Sequence, residues 1–173
     1  ASALVALSMS QRRILAVGMC ERHNLAIHAL RKRVLPEDIV ALDFVRKGPR
    51  KPQRPPADVL TELAIHDLDL ATFLTGSPLC DVSVASDVGQ RPPQSGVRGR
   101  PPPRAEVAIG ARTTSGVDVA IFATFLGEAR ERMLRQTLRD RRVLEVDLCP
   151  PPAGLSVSDP RPDVGPLVSQ LEV

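Results

Sequence analysis

Apolar residues recur along the chain with helical spacing in some segments and with strand-like alternation in others. Residues 2–8 have the pattern of the last turns of a helix, and residues 14–19 (ILAVGM) form a short, wholly apolar run. Such a run is typical of a strand buried on both faces, as in a parallel sheet. Residues 21–33 then predict a helix with Leu25 and Ala29 facing inward and with basic residues in its last turn.

Six further segments are predicted as strands: residues 38–47, 79–88, 105–111, 117–125, 131–138 and 142–148. Residues 38–47 and 79–88 alternate apolar and polar positions. Short turns join the last four segments into two hairpins. The order of strand, helix, strand, helix and antiparallel strands predicts an α+β fold, with helices packed on one face of a mixed, mostly antiparallel open sheet. Val, Ala and Ile residues on the other face make dimerisation through the sheet a reasonable hypothesis.

The second of these helices, predicted over residues 58–76, carries ionisable residues within an apolar pattern. Glu62 and His66 are four residues apart, so they share one face of a helix. Asp69 lies near that face, whereas Asp67 is expected to point elsewhere. From the spacing alone, the Glu62 and His66 pair is either a functional site or a buried polar pair.

Composition narrows the classes of function. Aromatic residues make up only 2% of the chain, without Trp or Tyr, which argues against nucleic-acid modules that stack bases on aromatic rings. The net charge of +3 is interpreted as solvated surface. Three widely spaced cysteines form neither a CxxC motif nor a Cys/His cluster, so we expect no metal site and a reducing, cytoplasmic location. No apolar run approaches the roughly 20 residues of a membrane span, so we expect no membrane association.

Proline, glycine and arginine are concentrated in residues 89–104, a composition typical of a flexible loop. Residues 90–104 could alternatively serve as a proline-motif ligand for a partner domain. Residues 154–158 could add one edge strand, and we expect little order in a tail over residues 159–173.

Four segments of the chain, taken in order, match the pattern of a known family. VGMCERHNLAIHALRK fits VGxxERFNPAxxxLK, and FVRKGPR, VLTELAIHDLDLATFLTGSP and RVLEVDL follow it at plausible spacing. These segments resemble the Gfo/Idh/MocA oxidoreductases, the group that contains glucose–fructose oxidoreductase, inositol dehydrogenase and MocA. The resemblance covers residues 14–148, and IHDLDL with its trailing LTG is the most specific part.

The resemblance implies two domains. In that family the N-terminal half is a Rossmann domain that binds NAD or NADP. The C-terminal half is an open α/β sheet that shapes the substrate pocket and usually makes the dimer. Residues 1–20 would then be a remnant of the nucleotide-binding Rossmann domain, and residues 21–158 would be an α+β substrate and oligomerisation domain.

The resemblance also implies the site residues. His66 matches the family's catalytic histidine, and Glu62 stands where the family more often has Asp. Glu21 and Arg22 match an ER pair near the nicotinamide and the substrate, and with Asp69 they are the expected substrate-binding residues. The implied reaction is hydride transfer between a nicotinamide and a sugar or polyol-like carbon, with His66 as general base or acid.

Two signatures of the family are missing from the 173 residues. There is no GxGxxG phosphate-binding turn and no lysine in an EKP motif, and His23 and Leu25 replace the usual aromatic residue and proline. Two hypotheses remain. The chain is mainly the C-terminal domain of an NAD(P)-dependent oxidoreductase and inactive alone, or it is a non-catalytic relic that dimerises or binds a small molecule.

Overall fold

The computed structural model describes residues 2–50, 58–85 and 104–149. The helices in these ranges are α1 (Ser2–Ser10), α2 (Leu25–Arg33) and α3 (Ile65–Thr75). The strands are β1 (Ile39–Pro49), β2 (Leu79–Ala85), β3 (Glu106–Thr113), β4 (Asp118–Thr124), β5 (Leu126–Leu138) and β6 (Val143–Asp147). Short 3-10 turns span Cys20–His23 and Pro36–Asp38, and a π-helical turn, Leu60–Ala64, directly precedes α3.

The described strands form one sheet in the order β2-β3-β4-β1-β5-β6. β1 and β4 run parallel, and every other neighbouring pair of these strands is antiparallel. The predicted mixed, mostly antiparallel sheet is therefore confirmed, and so are the two hairpins β3–β4 and β5–β6. Gly116 closes the first hairpin at a φ of 89°, a left-handed conformation that glycine adopts without steric cost.

The hydrophobic core fills the space between one face of this sheet and the helical segments. Leu42 and Phe44 of β1 are buried at its centre, which confirms the predicted apolar face of this strand. Ile27 and Leu30 of α2 and Leu70 of α3 belong to the same buried cluster. The helices α2 and α3 therefore lie on one face of the sheet, as the α+β prediction requires.

The opposite face of the sheet carries the residues that alternate with these core positions. Ala108 and Ala120 are exposed there, and Val45, Phe122 and Met133 are half-buried. Small and apolar side chains thus occupy much of the middle of this face, together with the carboxylate of Asp43.

The predicted strand at residues 14–19 is wrong. These residues form no strand, and the side chains of Ile14 and Val17 are 98% and 73% exposed. An apolar run becomes a buried parallel strand only when a neighbour satisfies its backbone hydrogen bonds, and none of the described strands pairs with it. The helix expected at residues 2–8 is confirmed as α1, which has no buried residues. The assignment of residues 1–20 to a Rossmann remnant stays a prediction.

The predicted helix at residues 21–33 is interrupted near its start. Asn24 caps α2, because its side chain accepts a hydrogen bond from the backbone N–H of Ala26 at 3.0 Å. The residues before it form the 3-10 turn Cys20–His23 instead. As a result Leu25 is 66% exposed and Ala29 is also exposed, contrary to the predicted inward face, and the helix buries Ile27 and Leu30.

Several predictions lie outside the described residues. They concern the proline-rich segment up to residue 103, the edge strand at 154–158 and the tail at 159–173. β2 ends at Ala85, so residues 86–88 of its predicted range also lie outside. None of the described helices has the length and apolarity needed to cross a membrane.

Candidate functional site

The helical segment that carries His66 changes its winding just before that residue. Asp58 starts it, because its Oδ1 accepts a hydrogen bond from the backbone N–H of Leu60 at 2.9 Å. In the π-helical turn the backbone N–H of Ile65 reaches back five residues to the carbonyl of Leu60. Glu62 lies in this wide turn and His66 in the first turn of α3. Single π-helical turns within helices occur frequently at functional sites.

A buried guanidinium joins this helix to the sheet. Arg46 of β1 is 2% exposed and Asp67 of α3 is 1% exposed. Both Nε, at 3.0 Å, and Nη2, at 2.6 Å, of Arg46 donate to the Asp67 carboxylate, so the contact is bidentate. The third nitrogen of the guanidinium, Nη1, donates a hydrogen bond to Oε1 of Glu21 at 3.0 Å. Arg46 therefore ties three separate elements together.

Glu21 also receives a second guanidinium. Arg132 lies directly opposite Arg46 in the β1–β5 pair, and its Nη1 donates to Oε1 of Glu21 at 2.8 Å. Asn24 adds a longer contact, from Nδ2 to Oε2 of Glu21 at 3.4 Å. The four ionised side chains of this network, Glu21, Arg46, Asp67 and Arg132, balance in charge. Removing one partner from such a buried network costs about 3–5 kcal/mol, because it leaves an uncompensated charge.

The network sets the pKa values around it. Burial alone would raise the pKa of Glu21, but the charges and hydrogen bonds of Arg46 and Arg132 outweigh it and lower this pKa below its usual 4.5. Burial raises the pKa of Asp67, and the bidentate contact with Arg46 opposes that rise. Glu21 is therefore held as a carboxylate.

His66 lies half-buried beside this network. Burial, and then the charge of Arg46, lower the pKa of His66 below 6.5. Its Nδ1 atom is buried and has no hydrogen-bond partner within the part of the chain that the structure describes. A neutral imidazole at neutral pH can accept a proton, so the arrangement gives His66 the protonation state that a general base needs.

Arg22 and Asp69 form a separate pair nearer the surface. Nε and Nη2 of Arg22 donate to the two oxygens of Asp69 at 2.7 and 2.5 Å. The guanidinium of Arg22 also lies over the ring of Phe73, 5.1 Å from its centroid. The structure thus brings Arg22 and Asp69 together and joins Glu21 to the network beside His66. Substrate contacts by Glu21, Arg22 and Asp69, and catalysis by Glu62 and His66, stay predictions.

The sequence reasoning missed two buried positions. Asp67 was expected to point away from the site, yet it is buried and ion-paired. Arg46, which lies within the matching segment FVRKGPR, was not among the predicted site residues. The signal for Arg46 was its even spacing from Leu42 and Phe44, because residues two and four positions apart in a strand lie on the same face, here the core face of β1. The signal for Asp67 was its spacing from Leu70, three positions along the buried side of α3.

Comparison with known proteins gives this arrangement a context. The chain is 37% identical over 82 residues to UDP-N-acetylglucosamine 3-dehydrogenase of Acidithiobacillus ferrooxidans, a match that covers 47% of this chain and 26% of that protein. A solved structure of UDP-N-acetylglucosamine 3-dehydrogenase from the same organism matches with a TM-score of 0.69 and 25% identity, covering 85% of this chain and 43% of that one. No protein-family model matches the chain.

Two further solved structures share the fold at lower identity. A probable dehydrogenase from Thermotoga maritima matches with a TM-score of 0.67 and 15% identity, covering 84% of this chain and 45% of that one. A putative myo-inositol dehydrogenase from Sinorhizobium meliloti matches with a TM-score of 0.64 and 18% identity, with the same coverage of 84% and 45%. The chain thus spans less than half the length of the relatives it matches. The resemblance to the Gfo/Idh/MocA oxidoreductases is confirmed, and the chain has the fold of part of a Gfo/Idh/MocA-type dehydrogenase.

Proposed function

We propose that this chain forms the substrate side of an NAD(P)-dependent oxidoreductase that acts on the CH–OH group of a sugar or polyol-like molecule. The observation that carries the proposal is His66, a neutral imidazole beside a buried ionic network on the helix that resembles the family's catalytic segment. The relatives support the substrate class by their names, which specify a nucleotide sugar and a polyol.

In this proposal His66 acts on the proton of the reacting hydroxyl. As that carbon is oxidised to a carbonyl, a neutral imidazole nitrogen takes the hydroxyl proton, and in the reverse reaction it returns it. Positioned proton transfer of this kind contributes about 10²–10⁴-fold to a rate. Glu62, on the preceding turn, is proposed to assist as the second catalytic group. Glu21, Arg22 and Asp69 are proposed to contact the substrate.

A nicotinamide cofactor is implied by the relatives, but the residues of this chain do not fit its binding by themselves. The 173 residues contain no GxGxxG turn, whose backbone N–H groups would hold the pyrophosphate. Residues 14–19, which resemble the end of a nucleotide-binding domain, form no strand in the described structure. The proposal therefore assigns hydride chemistry to an assembly with a nucleotide-binding part, and treats this chain as inactive alone.

A non-catalytic domain is the second candidate. It is favoured by the absence of both the glycine turn and the EKP lysine from the sequence. In this version the chain binds a small molecule or a second copy of itself and performs no turnover. Under both candidate functions we propose that the chain forms a homo-oligomer through the open face of the sheet, where Val45 and Phe122 are only half-buried. A cytoplasmic location is proposed with them, because Cys20, Cys80 and Cys149 are free thiols.

The test compares the chain alone with a completed enzyme. The chain is fused to the nucleotide-binding half of the Acidithiobacillus relative, and reduced nicotinamide is followed by fluorescence with UDP-N-acetylglucosamine or myo-inositol as substrate. We expect no cofactor binding by the chain alone, a thermal shift with at least one of the two ligands, and turnover only in the fusion. If neither ligand shifts the unfolding temperature and the fusion shows no turnover, the oxidoreductase proposal fails for these substrates and the non-catalytic candidate is favoured.

A further inference from the structure

The guanidinium of Arg132 has a donor edge, formed by Nε and Nη2, that carries no carboxylate, although the same edge binds a carboxylate in other arginines of the described structure. Three other arginines point their Nε and Nη2 atoms at one carboxylate each: Arg22 at Asp69, Arg46 at Asp67 and Arg135 at Glu145. This edge carries two nearly parallel N–H bonds that match the spacing of the oxygens in a carboxylate or phosphate. In Arg132, Nη1 binds Glu21, and neither Nε nor Nη2 donates a hydrogen bond within the described residues.

Arg46 shows the same arrangement completed. It uses Nη1 for Glu21 and the edge of Nε and Nη2 for Asp67. Arg132 lies opposite it in the sheet, shares the same Glu21 oxygen, and lacks the second carboxylate. Its side chain is 26% exposed, whereas those of Arg46 and Glu21 are 3% and 5% exposed. Arg132 is thus the solvent-facing arm of the network.

Solvent reaches the open edge of Arg132. Among the described residues, the buried side-chain nitrogens without a partner belong to His66 and Gln136, so Nε and Nη2 of Arg132 are not sealed in the core. The guanidinium is also close enough to His66 for its charge to lower the pKa of the imidazole. A ligand oxygen that contacts this edge would therefore lie on the solvent-facing side of the ionic network whose charges also act on the proposed general base.

We propose that Arg132 is a substrate-binding residue whose Nε and Nη2 atoms bind a carboxylate or phosphate oxyanion carried by the sugar substrate. This inference rests on the proposed function, because it places the oxyanion on the molecule that His66 acts upon. The substrate class narrows accordingly from any sugar or polyol to an anionic sugar. A sugar carboxylate and a sugar phosphate offer the same pair of oxygens, and the experiment separates them.

The test measures binding of three probes to the full chain by calorimetry. D-glucuronate carries a carboxylate, glucose 1-phosphate carries a phosphate, and myo-inositol is a neutral polyol. We expect at least one anionic probe to bind about 10-fold or more tighter than myo-inositol, as a bidentate charge-assisted pair provides. The tighter of the two anions identifies the group.

Variants assign this preference to Arg132. Arg132→Gln should abolish the preference, so that the ratio of the anion affinity to the myo-inositol affinity falls to about one, and Arg132→Lys should keep part of it as a point charge without the fork. Arg135→Gln is the matched control, since Arg135 lies on the same strand, faces the other side and is 59% exposed in a pair with Glu145. The ratio of affinities, rather than either affinity, excludes a merely structural effect of losing the contact with Glu21.

The outcomes separate this inference from the proposed function. If myo-inositol binds as tightly as the tighter of the two anions, or if the preference survives Arg132→Gln, the assignment of Arg132 is overturned while a sugar-binding site stands. If the anion preference depends on Arg132 but the completed fusion shows no turnover with any probe, the binding role holds and the oxidoreductase proposal fails. No binding of either anion at millimolar concentration also overturns the assignment.

Discussion

Arg46 and Asp67 form a bidentate ion pair between β1 and α3, with Nη2 of Arg46 2.6 Å from Oδ1 of Asp67 and both side chains nearly sealed from water. Asp67 directly follows His66, so the pair fixes the turn of helix on which the imidazole lies. The same guanidinium holds Glu21 through Nη1. The position of the candidate base is therefore determined by a strand residue far from it in sequence.

Breaking this pair should destabilise the domain strongly. Arg46→Met and Asp67→Asn are each expected to lower the free energy of unfolding by about 3–5 kcal/mol, because each leaves a buried charge without its partner. The matched control is Arg135→Met, which removes an exposed pair with Glu145 and should cost about 0.2–1 kcal/mol. Urea unfolding of the three variants gives the comparison. Equal losses at the buried and exposed pairs would show that the network does not hold the helix.

The ionisation of His66 should depress stability at mildly acidic pH. Because folding lowers the pKa of His66 below 6.5, the unfolded chain binds the proton more readily than the folded one. Stability is then present above about pH 6.5 and falls as the pH drops through the window between the unfolded and folded pKa values. His66→Gln should flatten this part of the pH dependence. An NMR titration of the imidazole that gave a pKa above 6.5 would contradict the burial argument.

Gln136 is a buried amide that the core leaves unsatisfied. It is fully buried on the core face of β5, opposite Leu42, and neither its Oε1 nor its Nε2 has a hydrogen-bond partner within the described residues. A buried polar group without a partner costs about 1–3 kcal/mol. Gln136→Met keeps the shape and removes the penalty, so we expect it to raise the free energy of unfolding by about 1 kcal/mol or more. Gln136→Ala, which leaves a cavity, should lower it. If Met destabilised as Ala does, a buried water would have to satisfy the amide.

Much of the fold follows from local sequence signals. Alternation identified β1, since period-2 patterning is the direct consequence of one buried sheet face, and short turns between strand-like segments identified the two hairpins. The wholly apolar run at Ile14 carried no such information. An apolar composition shows that a segment can be buried, but a buried strand also needs a neighbour that satisfies its backbone hydrogen bonds. The segment that contains the exposed Ile14 has no such neighbour among the described strands.

The candidate site was predictable only in part for a related reason. Local spacing and family resemblance marked Glu62, His66, Glu21, Arg22 and Asp69. The contacts of Arg46 and Arg132 depend on the register between β1 and β5, two strands that are far apart in the chain. Spacing along one helix likewise could not reveal that Asp67 meets a guanidinium from the sheet. Contacts between side chains of different elements depend on the tertiary structure, and local patterns in a single sequence do not reveal them.

The central claim is that His66 transfers the substrate proton, and turnover of the completed enzyme tests it most directly. The measurement is kcat/KM of the fusion with its nucleotide-binding half, for the parent, His66→Ala and His28→Ala. His28 is exposed on α2 and serves as the matched histidine control. The account predicts a fall of about 10²–10⁴-fold for His66→Ala and no change for His28→Ala. Turnover by His66→Ala at the parent rate would contradict it.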